Sequence, residues 1–457
     1  MNREYWNQEL ETKPWPEVEA WQAGRIAAFV ETLASRSDFY AGKLRTHSSS
    51  AGKGSHSSHL LREFPFTSKE EIRNSQQGQA IPGAPFGAHQ AAPLSEIVQA
   101  ISSSGTTGHP LYYALTRRDM DNWADGIANV FFTAGIRRED VVALLVGLPI
   151  VAGGLPYADG LRRIGATLAW LGGLPTERIF SSLPRLQVSA ILATTSFGVY
   201  LTDHCRELAG CTPSELGVRK LLGGGEPGLG QPEIRQKIYD GWGISHVREV
   251  MGIGDVLSGM WAECEEGGGM HFNAQRYVAV ELIDPQSGER IEWQEGNSGE
   301  AVYTTFDRDA TPLLRYRSAD HLVVTGTDCA CGRTSPRISC IGRTDDMLIY
   351  KAMNIFPTAI RDVILRRFGD LLEPYMRIWK EHANQVRFDA PIPLEIEARQ
   401  GVDPARYASI GREIVEEVRQ HLQARVEVTV VAPGTLPRTV YKTPLTQVRP
   451  AAKGEEK

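Results

Sequence analysis

VVALLVGL at Val141–Leu148 is followed by ADGLRRIGATLAW at Ala158–Trp170, VSAILATT at Val188–Thr195 and VRKLLGGG at Val218–Gly225. Apolar runs of strand length recur there between segments of helical pattern, one of them near Tyr200–Leu208. Strands that alternate with helices predict parallel pairing and α/β layering over about residues 100–260. On the N-terminal side, Trp15–Leu33 carries apolar residues at helical spacing, and the polar tract from His47 to His59 reads as a surface loop. Beyond about residue 270 the texture changes to short strands with turn signals, YVAVELIDPQSGERI and GEAVYTTF, which predict an antiparallel subdomain. After Asp345 come helices at 357–368 and 404–424 and a strand, VEVTVVA. The fold class expected is α/β: a large N-terminal domain over 1–344, with α/β layers plus a β-rich subdomain, and a small α+β domain over 345–457.

Composition narrows the function. The 457 residues exceed the usual domain length of about 100–150, so at least two domains are expected. Lys and Arg number 49 against 55 Asp and Glu, for a net charge of −6, which provides no basic field for nucleic acid or anionic lipid. The most apolar stretch, Val141–Leu155, is broken by Gly147, Pro149, Gly153 and Gly154 and falls short of the roughly 20 residues of a membrane helix. The charged start MNREYWNQELETKPW has no apolar leader core, so a cytoplasmic location is expected. Six cysteines are too sparse for a disulfide scaffold, which leaves metal binding open for some of them.

Six segments can carry chemistry. ISSSGTTGHP at 101–110 offers hydroxyls and glycine-freed backbone N–H groups suited to phosphates, although a flexible linker has the same composition. LLGGGEPGLG at 221–230 is a glycine turn after a strand, where a ligand can approach the backbone. EVMGIGDV at 249–256 places Asp255 beyond a glycine turn, where a carboxylate can hold Mg²⁺ against phosphate or simply be solvated. LLRYRSAD at 313–320 and IGRTDDMLIYKAMNIFP at 341–357 combine Arg and Asp beside strands, suited to sugar hydroxyls and phosphates or to ordinary ion pairing. LPRTVYKTP at 436–444 offers Lys442 as a point charge.

In this order the six segments resemble the adenylate-forming ligases, most closely the phenylacetate-CoA ligase family, over about residues 100–445. The resemblance implies attack of a carboxylic acid on the α-phosphate of ATP, then capture of the acyl group by coenzyme A after the C-terminal domain rotates as a lid. It assigns ATP binding to Ser103, Ser104, Gly105, Thr106, Thr107, Gly108, Gly225, Glu226, Pro227, Met251, Asp320 and Arg343. Asp255 is implied as the Mg²⁺ ligand, Lys442 as the catalytic cation, Asp345 as the hinge and Ala352 as a wall of the coenzyme A channel. Tyr157, Gly224, Gly252 and Ile253 are expected at the acyl pocket. Cys264, His271, Cys329 and Cys331 fit a further family feature, a structural Zn²⁺ site, against the alternative of four independent buried side chains.

Three positions depart from the family pattern: Asp255 stands where Glu is usual, Met251 where an aromatic is usual, and Ala352 where Gly is usual. A Cβ at 352 takes space from the pantetheine arm. The expected function is therefore an ATP-dependent aryl-acid:CoA ligase. The alternatives are an adenylating enzyme that serves a carrier protein or amine, and a non-catalytic nucleotide or aryl-acid binder. The expected partners are an aromatic acid, an acyl-carrier protein as alternative acceptor and a second copy of the chain in a homodimer, with no nucleic acid or membrane.

Overall fold

The computed structural model describes residues 4–45, 61, 64–77, 81–103, 110–146, 148–226, 228–344, 346–351, 353–382, 385–437 and 445–449. The chain divides into two compact units, 1–226 with 238–339, and 227–237 with 340–457. The 47–59 tract lies outside the described residues.

The first unit opens with helices α1 (Gln8–Glu11), α2 (Trp15–Arg36), α3 (Asp38–Arg45) and α4 (Lys69–Gln77), followed by a hairpin of β1 (Ile97–Ser103) and β2 (Leu111–Thr116). Helix α2 buries Ile26, Phe29 and Leu33 against Ala279, Phe306 and Leu314, which is where its apolar periodicity is satisfied. Helix α5 (Arg117–Thr133) starts at a capping box in which Thr116 and Asp119 satisfy each other's backbone N–H. The alternating segment then yields β3 (Val141–Leu144), α6 (Leu155–Ile164), β4 (Thr167–Trp170), α7 (Thr176–Arg185), β5 (Ala190–Thr194), α8 (Thr195–Ala209), β6 (Lys220–Gly224), α9 (Pro232–Trp242) and β7 (His246–Ile253). These strands lie parallel in the order β4-β3-β5-β6-β7, the pairing that the strand and helix alternation predicts.

The β-rich part comprises β8 (Leu257–Glu263), β9 (Met270–Phe272), β10 (Val278–Ile283), β11 (Arg290–Ile291), β12 (Ser298–Thr305), β13 (Tyr316–Gly326) and β14 (Arg337–Arg343). Its pairings are antiparallel, as expected, but it is continuous with the parallel strands in one sheet of twelve, because β7 turns directly into β8.

The second unit carries β15 (Leu348–Tyr350), β16 (Met353–Ile355), α10 (Pro357–Phe368), β17 (Leu372–Lys380), β18 (Arg387–Phe388), β19 (Ile392–Ala398), α11 (Tyr407–Leu422), β20 (Val426–Val431) and β21 (Thr446–Val448). Ile360, Ile364, Ile410, Ile414 and Val418 of its two helices close on the sheet β20-β19-β17-β21 to form a separate apolar core. Among the described residues no helix is long and apolar enough to cross a membrane.

Candidate active site

The parallel strands reverse direction of growth between β3 and β5: β4 lies on one side of β3 and all later strands on the other. Such a switch point opens a crevice at the carboxyl ends of the strands, because the helices after the two strands leave on opposite faces. The end of β1 is held there. Ser102 N donates to Ile150 O at 2.9 Å and bridges Val151, in the loop after β3. A Cβ on Gly254 would lie 2.9 Å from Ala152 Cβ and 3.7 Å from Ser103 Cβ. Ser103 and the Gly254–Asp255 turn thus meet at the switch point; Ser104, Gly105, Thr106, Thr107 and Gly108 lie outside the described residues.

Asp255 is buried, at 2% exposure. Its Oδ2 accepts from Tyr316 OH at 2.7 Å and from Lys69 Nζ at 3.1 Å, while Arg308 Nη1 donates to its backbone carbonyl at 2.6 Å. Burial pushes the carboxyl up, but the Lys69 charge and the Tyr316 hydroxyl outweigh it and hold the group below the usual carboxylate range. Among the described residues Asp255 Oδ1 makes no hydrogen bond of good geometry, and neither does the buried Ser103 Oγ, although the Ser103 hydroxyl lies close enough to the carboxylate to help lower it. Buried oxygens are rarely left this way unless something else binds them. A hard cation such as Mg²⁺ fits this donor set. Lys69 carries no motif and reads in sequence as a solvated helix lysine; the structure brings it to the centre of the site.

The remaining predicted residues fall into three groups. On the β5–β7 side, Gly224 is close-packed: a Cβ there would meet Val250 O at 2.2 Å. Gly225 takes φ +81°, and Glu226 turns back so that its Oε1 accepts from Ser196 N at 2.7 Å, at the first turn of α8. Glu226 is therefore engaged as a helix N-terminal acceptor. At the β7–β8 hairpin, a Cβ on Gly252 would lie 2.0 Å from Ser258 O, and the register shifts between Met251 and Ile253. The hairpin itself requires that glycine. Tyr157 OH donates to the same Ser258 carbonyl at 2.9 Å, so Tyr157 and Gly252 converge on Ser258, whose own Oγ is buried and has no partner among the described residues. Asp320 is buried on β13, where its N–H donates to Ser318 Oγ at 3.0 Å. Arg343 lies in the second unit. Pro227, Asp345, Ala352 and Lys442 lie outside the described residues.

The metal candidates do come together. The ligand atoms of Cys264, His271, Cys329 and Cys331 all lie within 4.8 Å of one another. Cys264 Sγ is 3.7 Å from Cys329 Sγ, and Cys331 Sγ is 3.4 Å from His271 Nε2. Hydrogen bonds from the Cys264 and Cys329 thiols hold the Cys331 thiol well below its ordinary value. His271 Nδ1 faces Ser335 O at 3.2 Å, which leaves Nε2 for a ligand role.

Phenylacetate-coenzyme A ligase of Pseudomonas putida is 31% identical over 385 residues, 84% of this chain and 83% of that protein. The chain belongs to the phenylacetate-coenzyme A ligase family. Another member, from Thermus thermophilus, is 29% identical over 453 residues, 94% of this chain and 96% of its own. A model of the AMP-binding enzyme C-terminal domain matches residues 352–446. The crystal structure of 2-hydroxyisobutyryl-CoA ligase in the postadenylation state, in complex with 2-HIB-AMP, superposes with a TM-score of 0.85 at 25% identity, over 97% of this chain and 92% of that one. The α/β layering with a small C-terminal domain is thus the adenylate-forming fold. As in other ligases of this family, the chain's relatives use a carboxylic acid and coenzyme A, and their names span an aryl acid and a hydroxyalkanoic acid.

Proposed function

We propose that this family member activates an aromatic carboxylic acid with ATP and transfers the acyl group to coenzyme A. The observation that carries the proposal is the buried Asp255 carboxylate, with one oxygen making no hydrogen bond among the described residues, close to Ser103 at the switch point. In the first half-reaction an acid oxygen attacks the α-phosphorus, the bond to the bridging oxygen breaks, and pyrophosphate leaves with the electron pair. In the second, the coenzyme A sulfur attacks the acyl carbon, AMP leaves, and the thiol proton goes to solvent.

Ser103–Gly108 cradle phosphates, Met251 and Gly225 border the adenine, and Asp320 and Arg343 hold ribose hydroxyls. Mg²⁺ at Asp255 would neutralise charge that gathers on the phosphate oxygens. Lys442 adds a cation that bridges acyl and phosphate oxygens, and Asp345 is the pivot that removes the 345–457 lid before the thiol enters. Tyr157, with Gly224, Gly252 and Ile253, forms the wall of a flat apolar acyl pocket. The Cys264, His271, Cys329 and Cys331 set would hold one structural Zn²⁺, since four protein ligands would leave no open position for catalysis.

Pyrophosphate release with Mg²⁺ and ATP across substituted benzoates, phenylacetates and hydroxyalkanoates, with and without coenzyme A, tests this. Release with an aryl acid and formation of its thioester is the expected result. Release only with aliphatic acids would move the substrate class, and ATP binding without release for any acid would favour the non-catalytic alternative. Ala352 favours a second acceptor, a carrier protein or amine, and adenylate that accumulates in the presence of coenzyme A would support it.

A further inference from the structure

We infer that Arg308 is a positioning residue for the metal: its guanidinium clamps the main chain of the Asp255 turn, so that the carboxylate is held in the orientation that Mg²⁺ binding needs. The inference rests on the reading of Asp255 as the Mg²⁺ ligand and adds to it a residue outside the six motif segments. Arg308 is buried, at 3% exposure, in the connection between β12 and β13. Its Nη1 donates to the carbonyls of Asp255 at 2.6 Å and Val256 at 3.2 Å, and its Nη2 to Thr311 Oγ1 at 2.9 Å. Among the described residues this buried cation bonds to main-chain carbonyls and a hydroxyl and to no carboxylate. A guanidinium that only balanced charge would sit on a carboxylate; one that bridges three other oxygens with its rigid fork sets their geometry.

The fork is itself fixed. The rings of Tyr113 and Trp123 lie 5.5 and 5.2 Å from its central carbon. Thr311 Oγ1 donates to Ala114 O at 3.1 Å and accepts from Ala114 N at 3.3 Å, which ties it to β2. Asp119, at the start of α5, accepts from Asp309 N at 2.6 Å and from Ala310 N at 2.9 Å. The same connection ends at Tyr316, whose hydroxyl donates to Asp255 Oδ2 at 2.7 Å. The β12–β13 connection thus grips Asp255 at both ends, the carbonyl through Arg308 and the carboxylate through Tyr316. The turn alone is less constrained: Val256 N donates to Ile253 O at 3.0 Å, and Gly254 gives the main chain just before Asp255 wide freedom. A carboxylate that ligates a metal depends on the groups behind it for its direction, and here the group behind the main chain is Arg308.

The test is equilibrium binding of ATP to the full chain by calorimetry, with Mg²⁺ and with EDTA, beside a melting curve. Arg308→Lys keeps a cation and loses the fork. It is expected to weaken ATP binding in Mg²⁺ about 10- to 100-fold, the usual cost of removing a group that orients a metal ligand, and to leave binding in EDTA unchanged. Thr311→Val, which keeps Arg308 and removes one of its anchors, should move the same ratio in the same direction by less, so the test survives if Arg308→Lys does not fold. Added to Asp255→Asn, either substitution should change the Mg²⁺ dependence no further, because both act through that carboxylate. Equal weakening in Mg²⁺ and EDTA, a lower melting point with an unchanged ratio, or a further loss in the Asp255→Asn background would each make Arg308 a structural residue and overturn the inference. A parent whose ATP binding is indifferent to Mg²⁺ would overturn it too, together with the metal role of Asp255. A parent that shows the coupled Mg²⁺ effect and releases no pyrophosphate with any acid would instead refute the adenylation reading and leave this inference standing.

Discussion

Two polar clusters are buried in the first unit, and they are built in opposite ways. Around Asp255 two donors crowd one oxygen, while the other makes no hydrogen bond of good geometry among the described residues. Around Cys331 every candidate ligand atom faces the others, and the shell behind them is closed as well. Arg333 N lies 3.5 Å from Cys331 Sγ, Arg333 Nε reaches Glu11 at 2.7 Å, and Tyr5 OH donates to Cys331 O at 3.0 Å. A closed set ties chain segments together, here the 4–13 segment to the β13–β14 connection. An open set keeps its capacity for a ligand. On the proposed reading, the contrast would separate folding chemistry from reaction chemistry within one sheet.

Breaking the closed cluster should have the largest effect. Cys331→Ser is expected to lose the bound zinc and to lower the thermal midpoint by at least about 10 °C, since structural zinc contributes on the scale of a whole domain's stability. Metal analysis of untagged protein together with a melting curve checks this. A variant that melts like the parent, with a parent that contains no zinc, would reduce the four side chains to ordinary core residues. Breaking the open cluster should instead spare the metal, with a loss of stability that reflects only the Lys69–Asp255 pair. Asp255→Asn is expected to slow pyrophosphate release about 100-fold or more, the cost of one lost transition-state contact, while zinc content stays as in the parent. Loss of both together would show that the clusters are not independent.

The parallel strands and the helix at 357–368 were legible because local periodicity and length set them. The metal set was legible because cysteine and histidine are rare enough that four of them suggest a group. Lys69 was not, since nothing in PFTSKEEIR distinguishes it from a solvated lysine until Thr67 pairs with Tyr316, far along the chain. Glu226 illustrates the reverse. The GGGEP turn points to a ligand, yet its carboxylate already has a partner in the N–H of Ser196. The continuity of the twelve strands was hidden for a different reason: composition changes near residue 270, whereas the sheet passes through that change at the β7–β8 hairpin.

Acid should sharpen the comparison from the open side. His89 packs edge-on against Tyr113 at 5.9 Å, and burial, with the Arg308 charge as a lesser cause, pushes it down from 6.5 to about 3. The folded chain therefore keeps His89 neutral where the unfolded chain binds a proton. Its contribution to stability is complete above about pH 6.5 and is lost as pH falls toward about 3, at up to about 1.4 kcal/mol per pH unit. Chemical denaturation of the parent and of His89→Gln at a series of pH values should give a shallower slope for the variant over that window. Equal slopes would place His89 in water in the folded chain.

The smallest expected effect concerns backbone strain, which the two clusters also distribute differently. Beside the metal ligands the left-handed positions are glycines, Gly267, Gly268, Gly269 and Gly332. Beside Asp255 they are Arg315 at φ +45° and Ala319 at φ +62°, on either side of Tyr316. Side chains there cost about 1–2 kcal/mol each relative to glycine. Arg315 is held in place by its two bonds to Glu281, at 3.0 and 2.9 Å, and Ala319 N donates to Glu300 Oε1 at 3.1 Å. Ala319→Gly removes one of these strains but gives the unfolded chain more freedom, worth about 0.4–1 kcal/mol in the other direction. The net should be a gain of about 0.5–1 kcal/mol, a rise of roughly 1 °C in the thermal midpoint. If pyrophosphate release is unchanged in that more stable variant, the strain at 319 is only tolerated. If release falls, the strain belongs to the ribose site, and the open cluster spends stability to hold Tyr316 and Asp320 where the nucleotide needs them.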